Sequence, residues 1–340
     1  MKKSFLALAL MGAFSGTAFA QSSVTIYGIA DVGFQSLDLG AGRMSRIQSG
    51  QEAGSRLGFK GTEDLGGGLK ANFVLEQGIL LDTGASDQGG KTFGRTSIVG
   101  LSGDFGAVNL GRDKTTTLKF FDNYDPFVSA LINNGTGTRG NYFVGGTTAQ
   151  DTTGRVSNAV FYNTPNLSGF TAQASYGFGE AAGDTSANRS MGLTLNYKID
   201  AFEAGYNFAK DNDIVANVNN AVKAHTVAAS YDFGVAKPVF FYQKQSNDSS
   251  SIDKKIYSLA VTVPVDANGK VLAGFTQVKN NAVTAGDSKQ FALGYTYALS
   301  KRTDLYTSYA RTTQDANSTF LGSVAGSNVT EFTAGLRHQF

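Results

Sequence analysis

The 340-residue chain has no cysteine, no tryptophan, only 4 prolines and only 2 histidines. Without cysteine it can form no disulfide and no Cys-ligated metal site. Beyond the first twenty residues it has no run that could cross a bilayer as a helix, which takes about 20 apolar residues. The histidines, His225 and His338, both fall on the apolar parity of their segments, a poor place for a catalytic base or a metal ligand. An excess of charge of one sign is missing as well. The chain carries 29 Lys and Arg against 27 Asp and Glu, and two of the lysines, Lys2 and Lys3, belong to its first residues. The remainder is neutral, which gives no electrostatic footprint for nucleic acid.

The first twenty residues read as an export signal. Lys2 and Lys3 form a positive start, Phe5 to Phe14 is a short apolar core, and Ala18-Phe19-Ala20 is a small-residue cleavage site. Residues 1–20 are therefore expected to be removed, leaving 21–340 as one domain.

What the mature chain does contain is alternation. Val24, Ile26, Gly28, Ala30, Val32 and Phe34 share one face of a first segment, while Thr25, Tyr27 and Asp31 share the other with Ile29. The same period of two recurs in Phe170–Tyr176, Met191–Lys198, Thr226–Phe233, Tyr257–Val263 and Gln290–Tyr297. Period two is the signature of a β-strand with one apolar and one polar face. It blurs in three places, Arg95–Leu101, Val108–Arg112 and Pro238–Gln245, so the face taken by Arg112 is open.

Connections between these segments alternate in length. Seven short turns, such as Asp64–Gly68 and Asp266–Gly269, are separated by eight long polar loops, among them residues 35–54, 113–153, 211–221 and 313–327. Sixteen antiparallel strands with short turns on one side and long loops on the other make the pattern of an outer-membrane β-barrel. Lipid offers the backbone no hydrogen bonds, so such a sheet must close on itself. A soluble sandwich would need neither the asymmetry nor so many strands. Sixteen strands ~4.8 Å apart and tilted ~40° enclose a ring roughly 30 Å across, too wide for side chains to fill. With polar residues facing inward, the lumen is expected to be wet. The third loop, residues 113–153, is the one long enough to narrow it. Its core is the aromatic and acidic run Phe120-Phe121-Asp122-Asn123-Tyr124-Asp125-Pro126-Phe127, followed by a Gly/Asn/Thr-rich stretch from Asn133 to Gly146.

The outward faces differ around the ring. The first strands present Gly28, Ala30 and Leu57, whereas later ones present Phe170, Tyr176, Tyr197, Phe202, Tyr206, Phe208, Tyr231 and Tyr295. Aromatics suit the lipid interface, with Tyr and Phe standing in for the absent Trp. Small and aliphatic residues suit contact with another protein, so a symmetric oligomer held through the early strands is expected. No catalytic constellation emerges: Asp122 and Asp125 have no evident partner for acid–base work, and Gly66-Gly67-Gly68 opens no helix and so cradles no phosphate. No cofactor is implied.

The chain resembles the Gram-negative general porins of the neisserial and betaproteobacterial type. The resemblance spans the whole mature chain. It is carried by the runs SVTIYGIAD at 23–31 and SRLGFKGTEDLG at 55–66, by Val99-Gly100-Leu101, Phe105-Gly106 and Leu110-Gly111-Arg112, and by a last strand ending in Phe340. It implies an outer-membrane homotrimer, each subunit a water-filled channel for passive diffusion of ions and small hydrophilic solutes, with the third loop folded inside. Acidic residues of that loop would face basic residues of the wall. By position, Asp122 and Asp125 take the acidic side, and Arg56, Lys60, Arg95 and Arg112 the basic side. A weak anion preference follows as an expectation, and Phe340 is expected to mark the chain for membrane insertion. The alternative is a barrel that works through its surface loops, as an adhesin or an enzyme.

Overall fold

The structure is a computed structural model that describes residues 23–127, 154–215 and 218–340. The leader and the run from Asn133 to Gly146 lie outside the described residues.

Eighteen strand segments form one closed antiparallel sheet. We number the barrel strands β1 to β16. β1 is Ser23–Asp38. β2 comes in two collinear pieces, Arg43–Ser49 and Arg56–Gly66, which pair with the upper and lower halves of β1. Next are β3 (Leu69–Leu80), β4 (Thr96–Gly103) and β5 (Gly106–Lys114), with a two-residue segment, Ala85–Ser86, folded onto the end of β3. A helix, α1 (Thr116–Tyr124), follows. The remaining strands are β6 (Arg155–Asn163), β7 (Phe170–Gly177), β8 (Ser190–Ile199), β9 (Phe202–Val215), β10 (Val218–Tyr231), β11 (Lys237–Asn247), β12 (Asp253–Pro264), β13 (Gly269–Asn280), β14 (Ser288–Ala298), β15 (Thr303–Gln314) and β16 (Val329–Gln339). β16 pairs with β1 from Ile29↔Gln339 to Asp38↔Thr330, and Gly28 and Phe340 exchange backbone hydrogen bonds of 3.0 and 3.1 Å at the seam. The ring is closed with sixteen strands.

Alternation decides which side faces what. Gln35, Thr194, Asn207, Thr226, Gln243, Ser258, Gln290 and Thr333 are buried and point inward, where they bond to polar side chains of neighbouring strands and, from Thr194 and Asn207, to α1. Val24, Ile26, Leu259, Phe275, Phe291 and Leu293 are exposed on the outside. Exposed apolar side chains in a ring of this kind are solvated by lipid.

The short connections are built from side chains that fold back on the backbone. Asp64, Asp232 and Asp266 each accept hydrogen bonds from main-chain N–H groups two or three residues on, and Asn166 does the same for Gly169. These Asx turns need no length, which is why this end of the barrel is tight.

The opposite end departs from the sequence reading at two loops. Residues 35–54 are not one long loop: β1 continues to Asp38 and the first piece of β2 covers Arg43–Ser49, so only 39–42 and 50–54 lie outside strands. Likewise most of 211–221 extends β9 and β10 into a long hairpin. Outside the membrane both faces of a ribbon meet water, so a strand there needs no alternation and its sequence looks like a loop.

Candidate functional site

Inside the ring the loop after β5 comes first. Thr115 caps α1, its hydroxyl accepting from Leu118 N–H at 3.1 Å. The helix stops at Tyr124, because residue 125 precedes Pro126 and is pushed out of the helical region. Phe120, Phe121 and Tyr124 bury against Ala228, Val239, Phe241, Ile256 and Val278. Phe127 packs against Leu272, Ala292, Tyr306 and Ala310. These partners belong to the inward faces of β10 to β15, so α1 and the residues after it lie against the inner wall. Fully burying one such aromatic contributes roughly 1.5–3 kcal/mol. Polar contacts fix the register: Thr117 donates to Asn207 at 2.7 Å, Tyr124 to Asn196 at 3.2 Å, and Asn123 to Glu203. Burial first, and the nearby Glu203 second, raise the Tyr124 pKa.

The opposite wall is basic. Glu76 on β3 is its centre. One carboxylate oxygen meets Arg95 Nε at 2.7 Å and Arg56 Nη1 at 3.7 Å, and the other accepts from the Tyr27 hydroxyl at 3.0 Å. Lys60 lies over the Tyr27 ring, 5.2 Å from its centroid. Arg56 Nε donates to the Gly54 carbonyl at 2.8 Å. Arg155, at the start of β6, donates through Nε to the Arg95 carbonyl at 2.8 Å. Arg112 follows an irregularity in the β5–β6 ladder, where Gly111 has φ 129°. That irregularity explains why its face could not be counted from alternation. It is buried, with Nε on the Gly94 carbonyl and Nη1 on Ser157 Oγ.

The two acidic loop residues go to different places. Asp122 pairs with Lys114 at 2.6 Å. Asp125 is buried and accepts from Phe127 N–H at 3.0 Å, closing the turn after the helix. Arg56, Arg95 and Glu76 are thus brought together, while Asp122 is tied to Lys114. Sequence reading did not single out Glu76, Lys114 or Arg155. Glu76 stands out only as one of several polar residues on its strand. Lys114 and Arg155 sit at strand ends, where alternation has no phase to read. Among the described residues this assembly contains no nucleophile–base pair; it is a file of fixed positive charge facing a loop seated in a polar lumen.

Known proteins agree with this architecture. The profile of the Gram-negative porin family matches residues 7–317. The chain is 37% identical to outer membrane porin protein 32 of Delftia acidovorans and 26% identical to major outer membrane protein P.IB of Neisseria meningitidis serogroup B, each over the full length of both proteins. Among solved structures, the anion-selective porin from Comamonas acidovorans superposes with a TM-score of 0.84 at 35% identity, covering 94% of this chain and 100% of that one. Sixteen closed strands, a polar lumen with α1 against its inner wall and these matches make one statement: the chain belongs to the Gram-negative porin family, as a passive diffusion channel of the bacterial outer membrane.

Proposed function

We propose that this porin prefers anions and that the preference is made at the Arg56–Arg95–Glu76 cluster. One observation carries the reading: two guanidinium groups share a single carboxylate. Lys60 adds charge beside them, and the acidic group the loop offers, Asp122, is held by Lys114. The Comamonas relative is described as anion-selective, which supports the same sign. In water a unit charge at ~4 Å contributes about 1 kcal/mol, roughly a fivefold bias. Charges more than about 10 Å away are largely screened at 0.1 M salt, so the narrowest point dominates. The test is the reversal potential of the purified channel in a KCl gradient. It should sit on the chloride side of zero; a potential on the potassium side contradicts the reading.

The working unit on this reading is a homotrimer joined through the early strands, whose outward faces carry Ala30, Leu57, Val99 and Leu110 and few of the aromatics found elsewhere. Export follows cleavage after Ala20. Phe340 closes the barrel seam on Gly28 and serves as the insertion signal, so a chain lacking it should be exported but fail to form heat-resistant oligomer. Solutes pass by diffusion and nothing is transformed. Both histidines support this, facing outward with His225 bonded to Tyr206 and His338 to Thr303.

A further inference from the structure

β2 is interrupted by residues 50–55, and the interruption is a built feature. Gly50 turns the chain at φ 70°, in the left-handed region that favours glycine, and donates to the Asp31 carbonyl at 2.8 Å. The Asp31 side chain then takes the backbone N–H groups of Gln51, Glu52 and Ala53, at 3.1, 2.9 and 2.6 Å. The Tyr306 hydroxyl donates to the same carboxylate at 2.6 Å. Ser55 closes the loop, its hydroxyl accepting from Asp31 N–H at 3.0 Å and donating to the Asp31 carbonyl at 2.8 Å. Asp31 thus replaces the ladder bonds β1 would otherwise make to β2. A second tie holds the same segment: Glu52 meets Arg337 at 3.3 Å, and Arg337 meets Asp304 at 2.9 Å.

The segment ends on the basic wall. The Gly54 carbonyl accepts from Arg56 Nε, and the Arg95 guanidinium lies over Gly54, where an added Cβ would sit 2.6 Å from Nη1. Gly54 is therefore the point at which both arginines touch a backbone that Asp31 fixes. Two like charges sharing one carboxylate repel each other, and long side chains do not stay aligned without a support.

We infer that Asp31 is a positioning residue for ion selection: by gathering the amides of residues 51–53 it holds Gly54 where that glycine seats Arg56 and Arg95 in the channel. The inference rests on the anion-preferring reading above. Its sign separates it from a plain charge effect. Removing an acidic group from a channel raises anion preference if only its charge counts. Removing a support for the arginines lowers it.

The experiment compares reversal potentials in a KCl gradient for the reconstituted full-length channel, its Asp31→Asn and Gly54→Ala variants, and the Arg56→Gln/Arg95→Gln double variant. Heat-resistant migration on gels verifies assembly of each. Asn cannot accept from all the donors Asp31 serves. The methyl group that Gly54→Ala adds meets the movable end of a side chain, so this variant should fold and displace Arg95. Letting a guanidinium drift from ~4 to ~8 Å from the ion path halves its Coulomb energy, so each single variant should lower the anion-to-cation permeability ratio roughly twofold. Adding Asp31→Asn to the double arginine variant should change nothing further, since contacts that act through one another are not additive. An Asp31→Asn ratio that is unchanged or raised in an assembled channel overturns the inference. If that variant does not assemble, Gly54→Ala decides alone, and a wild-type ratio overturns it. Should the double arginine variant lose its preference while Asp31→Asn and Gly54→Ala keep theirs, the positioning role falls and the wall reading stands. An unaltered double variant overturns both.

Discussion

The two inner walls of this barrel solve opposite problems. From β1 to β6 the inner face carries a charged cluster: Tyr27, Arg56 and Arg95 meet on Glu76, and Arg155 reaches the Arg95 carbonyl. From β10 to β15 the inward face includes Ala228, Val239, Phe241, Ile256, Leu272 and Val278, an apolar patch inside a water-filled pore. That patch would be a fault if it were bare. It is covered by the aromatics of α1 and by Phe127. The far wall thus gives up polarity to anchor the loop, while the near wall keeps its charge. On the proposed reading, width and selectivity fall to different halves of one ring.

That division can be broken from either side. The largest effect should come from the anchor. Phe121 and Phe241 pack at a tilt of 34° with ring centroids 5.6 Å apart, and replacing a buried Phe by Ala typically costs about 3–5 kcal/mol. A Phe121→Ala/Phe241→Ala channel should release the loop, raise single-channel conductance and admit protease to α1, with little change in ion preference. Wild-type conductance would show that the patch does not hold the constriction.

Next in size is the outer surface. Ala30 lies on the side assigned to the subunit interface, and Ala204 on the aromatic-rich side. A charge at the centre of an apolar membrane environment costs about 2.5–3.5 kcal/mol. Ala30→Asp should yield monomers on native gels, while Ala204→Asp should lower the yield of inserted protein without altering its oligomeric state. Equal trimer in both would place the interface elsewhere.

A smaller effect separates the walls by charge. Arg95→Gln on the near wall should shift the reversal potential toward cations by the equivalent of about 1 kcal/mol. Lys198→Gln, on the inner face of β8, should shift it less than half as far. Equal shifts would mean that charge is averaged over the whole lumen. Smallest of all, Asp122→Asn releases Lys114 and should move the potential slightly toward anions. Asp125→Asn, at a buried turn, should move it less.

How much of this is legible in the sequence follows the same division. The strands, the short turns and the long third loop can be read, because membrane strands must alternate and lipid forbids open edges. The blurred alternation at Pro238–Gln245 now has a cause: Val239 and Phe241 face the loop while Phe240 and Tyr242 face lipid, so both faces are apolar. Arg56, Lys60 and Arg95 can be nominated from position and resemblance, but their partner Glu76 cannot be told from other polar residues. Asp31 looks like one more inward polar residue. Its role depends on backbone amides, and a sequence does not show where amides point. Residues 50–54 read as the end of a loop, which is right for their lack of strand pairing and silent about the amides they turn toward Asp31.

The most direct test of the whole account is the reversal potential of the Arg56→Gln/Arg95→Gln channel, recorded together with its single-channel conductance. If the near wall selects and the far wall sets the width, the anion preference should collapse toward zero while conductance stays within about twofold of wild type, because α1 and its patch are untouched. Retention of the full anion preference would contradict the account, and so would a loss that comes only with a collapse in conductance.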